Sequence, residues 1–308
     1  MDGIASELVL APPQPASSSR THEDGTTMPS FDTPEPISVT ARVEAGSIRF
    51  TAADRRDTLV EVRPRDPKKS QDVRDAEQTD VTYARGALTV STPKQRNVLG
   101  RTGTVDITVE LPTGSHVDMT GAWAQVLGQG RLGEVGVKTS SGDVRLDTTG
   151  PLRVTASHGS ITVDRVEGTA EITTSSGSLR VGTVDGSAVL KSTHGSATVG
   201  LVTGELRAES GNGGIDIARA ESSVAATTAH GTLRAADVAR GTVELATSFG
   251  TIEVGIREGT AADLDVSTGS GQVRNMLTAT GSMAKTQETV QVRARSQHGN
   301  IDILRARA

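Results

Sequence analysis

Residues 150–167 read GPLRVTASHGSITVDRVE, and the chain repeats the pattern in lines of eighteen: GTAEITTSSGSLRVGTVD (168–185), GSAVLKSTHGSATVGLVT (186–203) and GELRAESGNGGIDIARAE (204–221). Two looser lines follow, SSVAATTAHGTLRAADVAR (222–240) and GTVELATSFGTIEV (241–254). A glycine opens most lines. A second falls nine places on, at Gly159, Gly177, Gly195, Gly213, Gly231 and Gly250. A fixed period near twenty residues marks stacked units, none of which buries its apolar face alone.

Apolar residues keep to columns of this register. The third and fifth positions pair Leu152 with Val154, Ala170 with Ile172, Ala188 with Leu190 and Leu206 with Ala208. The twelfth and fourteenth pair Ile161 with Val163, Leu179 with Val181, Ala197 with Val199 and Ile215 with Ile217. The seventeenth adds Val166, Val184, Val202 and Ala220. A spacing of two is strand alternation, so each line carries two short strands facing one core and a lone apolar residue from a third side. Val, Ile, Thr and Gly dominate the lines and disfavour helix. The fold expected is therefore all-β: a single-stranded parallel β-helix (β-solenoid) of about 18 residues per coil. Its coil is expected to be right-handed, as crossovers between parallel strands are. Left-handed hexapeptide coils need three equal sixes, and calcium-binding rolls need GGxGxDxUx tandems; the columns match neither. A narrow tube of aliphatic ladders also accounts for only five aromatic residues in 308 (Trp 1, Tyr 1, Phe 3).

The net charge is −5 with both signs mixed along the chain, which leaves no basic footprint for nucleic acid. There is no cysteine, so disulfide and thiolate chemistry are excluded. No stretch approaches the apolar length of a membrane span, and the first residues do not read as a secretory signal. The expectation is a cytoplasmic protein without membrane insertion.

Residues 1–34 are rich in Pro, Ser, Thr and acids and are expected to be a disordered extension; Met28 is a candidate for the true start. The solenoid is expected over 35–308, with a cap and irregular first coils at 35–125, regular coils at 126–256, and longer coils with a C-terminal cap at 257–308. Ten to twelve coils would make a rod about 50–60 Å long at the strand spacing. Pro64–Asp80 and the basic segment PKQRNVLGR (93–101) read as exposed loops, and NMLTATGSMAKTQETV (275–290) as an excursion without period.

The opening MPSFDTPEPISVTARVEAGSIRFTA (28–52), the middle TVDITVELPTGS (104–115), the repeats of the GSITVDRVEG type and ETVQVRARSQHGNIDI (288–303) together resemble the bacterial putative-adhesin family of β-strand-repeat domains, a group of unknown function. The resemblance covers nearly everything after Met28. It implies a single-stranded parallel β-helix and a surface-binding role, and carries over no catalytic residue. Where members often show Asn-Gly-Asp at the turns, this chain has His-Gly-Ser (His158, His194), His-Gly-Thr (His230) and His-Gly-Asn (His298).

The candidate binding residues are His158, His194, His230 and Trp123. The three histidines are thirty-six residues apart in one column, so they fall on alternate coils about 9.6 Å apart, too far for one metal ion to bridge. They offer a spaced, titratable face; the competing reading is that His simply tolerates the turn before glycine. Trp123 offers a stacking platform; the competing reading, shared with Tyr83, is a plug in a wider early coil. Arg153 with Glu171, and Asp216 with Arg234 and Glu253, read as cross-strand ion pairs rather than the paired carboxylates of a polysaccharide-cleaving enzyme. Thr155, Thr173 and Thr227, with Thr174, Ser192, Ser210 and Thr228, could make a flat ligand face or a hydrogen-bonded ladder. No catalytic motif, metal set or cofactor loop occurs. The function expected is a non-enzymatic scaffold or adhesin-like binding protein presenting a rigid side wall to a protein or glycan partner. The alternatives are a carbohydrate-active β-helix enzyme and a structural assembly element.

Overall fold

A computed structural model describes residues 18–21, 27–94, 102–277 and 288–306. The repeat stacks into a parallel β-solenoid as expected. Strands such as Leu152–His158, Ala170–Ser176 and Ala188–His194 stack in parallel as one wall. Ile161–Val166, Leu179–Val184 and Ala197–Val202 stack as a second wall. The register is one full line: Leu152 lies beside Ala170, Ile161 beside Leu179 and Leu179 beside Ala197. The seventeenth column closes the tube on the third side, where Asp185 N donates to Val166 O at 2.8 Å and Thr203 N to Val184 O at 3.1 Å. Ile161, Leu179 and Ile215 are all buried.

The ninth-place glycines permit this closeness. Gly177 has φ +135°, and a Cβ there would lie 2.1 Å from the carbonyl oxygen of Gly159 one rung below. The corner thus needs both an unusual backbone conformation and the absence of a side chain.

Both ends depart from sequence order. At one end the outermost rung is Ala87–Ser91 with Val105–Pro112, and the earlier strand Ser38–Ala53 lies between it and His116–Arg131. At the other end Thr289–His298 and Ile301–Arg305 follow the rung Gly241–Phe249 with Ile252–Ile256. The earlier strands Ala261–Ser270 and Val273–Asn275 lie outermost. The first and last solenoid strands are therefore each hydrogen-bonded on both sides. The parallel stack has twelve rungs among the described residues, and eleven steps of about 4.8 Å give a rod about 53 Å long.

The N-terminal end is closed by antiparallel strands, Asp57–Pro64 on Val105–Pro112 and Asp80–Ala84 on Ala87–Ser91. Two expectations are corrected here. Disorder was expected to residue 34, but Thr27–Asp32 is a strand paired antiparallel with Asp57–Leu59. Phe31 is buried in it and meets Tyr83 at a centroid distance of 5.1 Å. Residues 1–17 and 22–26 of that extension lie outside the described residues, and Ser18–Thr21 is a strand on Thr27–Ser30. Pro64–Asp80, expected as an exposed loop, contains a helix, Ser70–Glu77. Its Asp72 and Asp75 are buried because they accept from the backbone: Thr104 N donates to Asp72 at 3.0 Å and Gly103 N to Asp75 at 2.8 Å. The charge that suggested a solvated loop satisfies donors that would otherwise be orphaned. Most of the basic segment 93–101 and residues 278–287 of the excursion lie outside the described residues.

Outward charges pair between rungs as expected. Arg153 meets Glu171 at 2.7 Å, and Arg234 lies 3.4 Å from Asp216 and 3.0 Å from Glu253. A denser network occupies the third side, where Arg257 donates to Glu221 at 2.8 and 3.1 Å and twice to Asp237 at 2.9 Å. The hydrogen bond from Arg257 holds the Glu221 carboxyl below its ordinary value, against partial burial, with Arg219 assisting.

Gly177→Ala is expected to cost about 3 kcal/mol in urea unfolding, through strain at positive φ and the carbonyl clash. Gly86→Ala, where a Cβ would meet nothing within 4 Å, should cost only about 1 kcal/mol. Glu221 has a depressed folded-state pKa, so its stabilisation is complete above the ordinary value of 4.5 and is lost as pH falls through the lower folded value. Wild type should therefore lose its stability advantage over Arg257→Met on acidification from about pH 5 to pH 3, followed by thermal unfolding.

Candidate functional site

The ninth position of each line ends the first wall, just before the corner glycine. Its residues stand side by side along the rod: Ala45, Trp123, Ser141, His158, Ser176, His194, then Asn212, His230, Phe249, His298 and Ser270. All four sequence-predicted site residues, Trp123, His158, His194 and His230, share this ridge. The expectation that Trp123 plugs a wide coil is corrected: it is 64% exposed. It falls at a strand position that points out of the corner, beside the small residues Ala45 and Ser141. Tyr83 lies elsewhere, packed on the capped end. Two further residues complete the ridge. Phe249, 48% exposed, is sandwiched between His230 and His298, with centroids 5.1 and 4.7 Å apart and planes within 4° and 6°. The signal for Phe249 was available in the repeat, where Phe occupies the place held by His in HGT and HGS.

The hydroxyl columns separate by one residue. Thr155 and Thr227 face outward and are exposed, whereas Thr174, Ser192, Ser210 and Thr228 point into the tube and are buried. The buried column therefore offers no ligand face. Thr228 donates to Gly213 O at 3.0 Å, and Ser296 to Gly250 O at 3.1 Å, bracing the corner from inside.

The outer face of the first wall carries a trough toward the C-terminal end. Ala225, Thr227 and Ala246 leave a low floor, and longer side chains on the adjoining rungs (Arg207, Arg293, Arg295) raise its sides. Three adjoining hollows of about 700, 330 and 530 Å³ make up the trough, the first reaching His298 on the ridge. Its arginines are paired, Arg207 with Glu209 at 2.8 Å, Arg293 with Glu244 at 2.9 Å and Arg295 with Asp265 beyond the lining at 2.6 Å, and the exposed Glu205 also lines it. The hydrogen bond from Arg207 holds Glu209 below the ordinary carboxylate value, and that from Arg295 does the same to Asp265. Both shifts run opposite to what a general acid requires. Among the described residues no group of three or more His, Cys, Asp or Glu is placed to hold a metal, and no helix is long and apolar enough to cross a membrane.

These features define a parallel β-solenoid of stacked rungs whose outer columns, rather than an enclosed pocket, are the surface available to a ligand. The chain belongs to the Toastrack DUF4097 family, whose profile covers residues 37–304. Similar solved structures include a putative adhesin from Bacteroides fragilis (14% identity, 90% of this chain and 95% of that one, TM-score 0.37). Another from Parabacteroides merdae is 10% identical over 90% of this chain and 95% of that one, with a TM-score of 0.39. A putative lipid binding protein from Parabacteroides distasonis is 12% identical over 91% and 96%, with a TM-score of 0.26. At such scores these likenesses carry nothing about what this chain binds. No curated protein matches the chain.

Phe249→Ser removes both ring contacts from a half-exposed site. It should lower the unfolding free energy by about 1 kcal/mol in urea titration, with the far-ultraviolet circular dichroism of the solenoid unchanged.

Proposed function

We propose that this protein is a non-enzymatic scaffold whose rigid side wall binds a protein or glycan partner. The trough is the observation that carries this reading. It is an open, elongated depression with neutral, hydroxylated and charged groups of both signs, suited to the length of a polymer rather than to enclosure of a small molecule. Its ion pairs are solvent-exposed and screened by water and salt, so a ligand can exchange them for its own contacts at little cost.

The alternative of a carbohydrate-cleaving β-helix has less support. Cleavage needs two carboxylates across the bond, one with a raised pKa. Of the carboxylates that line the trough, Glu209 and Glu244 each sit against an arginine, which leaves Glu205 without the second unpaired carboxylate that cleavage needs.

Thr227→Arg raises the floor from an exposed strand position and should leave the fold intact. Binding of the full chain to a panel of immobilised glycans and proteins should fall at least tenfold in this variant for any ligand the wild type retains. Release of reducing ends from a polysaccharide by wild type, lost in Glu209→Gln or Glu244→Gln, would replace this reading with the enzymatic one.

A further inference from the structure

The Phe249 sandwich shows what the corner ridge can hold. His230 and His298 are two rungs apart, about 9.6 Å by the strand spacing, and one flat ring fills the slot between them. The same spacing recurs three times along the ridge with a small residue in the middle. Trp123 and His158 bracket Ser141, His158 and His194 bracket Ser176, and His194 and His230 bracket Asn212. Trp123, His158 and His194 are exposed and make no ring contact among the described residues. The neighbouring columns are small and uncharged beside His158, Ser176 and His194 (Ser157, Ser175 and Thr193 on one side, Ser160, Ser178 and Ser196 on the other), and the one charge beside the Ser141 slot, Asp143, accepts from Ser160 N at 2.8 Å. In a chain with 22% charged residues, such a strip lets a second surface approach without stripping water from ions.

The order of rings and small residues is complementary to its own reverse. We propose that this ridge is the interface of a homodimer in which two rods lie antiparallel and the rings of each copy enter the slots of the other. When His158 sits over Ser176 of the second copy, the twofold sets Trp123 over Asn212, His194 over Ser141 and His230 over Ala45 of that copy. Each pairing occurs twice, giving six insertions into ring-flanked slots and two contacts of His230 over Ala45, which Trp123 flanks on one side only, with no ring opposed to a ring. A parallel alignment shifted by one rung also meshes, but its two sides are not equivalent and it does not close. The occupant is thus a second copy, because the ridge supplies both halves of the contact. Six inserted rings and the two His230 contacts bury on the order of 1,000 Å², the lower bound for a specific interface, so dissociation is expected in the micromolar range. This inference does not depend on the trough or on its ligand.

Sedimentation equilibrium of the full chain, at about pH 8 where free histidine is uncharged, tests it. Wild type is expected to dimerise. Ser176→Phe fills the central slot from within, as Phe249 fills its own, and should weaken the dimer at least tenfold while the melting temperature holds or rises. Adding His158→Ser to Ser176→Phe exchanges ring and slot and should restore the dimer. Trp123→Ala, at an exposed position that the fold does not need, should weaken it about tenfold without changing the melting temperature. A wild type that stays monomeric up to about 100 µM, well above the expected constant, overturns the proposal. So does a Trp123→Ala or natively folded Ser176→Phe protein that dimerises as wild type does.

Discussion

The in-register hydrogen bonding of one winding to the next is the constraint on which the rest of this molecule depends. Because each strand pairs with its own repeat one line away, every residue lies beside its positional equivalent. A column can then hold only what stacks at a strand spacing of about 4.8 Å. Inside, that selects small aliphatics, with Ile161, Leu179, Ala197 and Ile215 in one ladder. At the corner it selects glycine, since any Cβ on Gly177 would meet the carbonyl beneath it. Outside, it converts alternation of sign into salt bridges, as in Asp216, Arg234 and Glu253. Core, turn and surface follow one rule applied in three environments.

A stack of parallel strands has two open edges, and unpaired edges invite further strands. The N-terminal edge ends in antiparallel strands and a helix whose buried carboxylates tie down Gly103 and Thr104. Reversing strand direction there breaks the pattern by which the coil would otherwise extend. The opposite edge ends on Ala261–Ser270 and Val273–Asn275, where Val273 is 45% exposed. At both ends the first or last strand of the parallel stack, Ser38–Ala53 or Ile301–Arg305, lies one rung inward, between two partners. Its out-of-order contacts carry the loop-closure cost of non-local pairing.

Functional possibilities in such a rod arise from columns rather than from pockets. The trough appears where consecutive rungs carry Ala225, Thr227 and Ala246 between rungs carrying arginine. The ridge appears where planar and small side chains alternate along one corner. Phe249 breaks that alternation from within and lies flat between two imidazoles. Both features need several rungs to exist, so neither belongs to any single repeat.

The eighteen-residue period, the inward columns, the glycine corner and the charge ladders were legible in the amino-acid sequence because each is a local pattern copied from line to line. The family resemblance rested on the same repeats and on the non-repeating opening. What could not be read were the relations between segments that share no period. Trp123 joins the column of His158 only because the intervening line is one residue shorter, a shift visible once Trp123 is seen beside Ser141 and Ser141 beside His158. The helix Ser70–Glu77 depends on donors at Gly103 and Thr104, some thirty residues away. The placement of Ser38–Ala53 between two later rungs depends on which edge remained free. Sequence alone thus determined the winding of the repeat, because stacking identical lines satisfies every backbone hydrogen bond in one way. Only the tertiary structure decided the ends, the trough and the full membership of the ridge, because those are set by which non-equivalent segments meet in space.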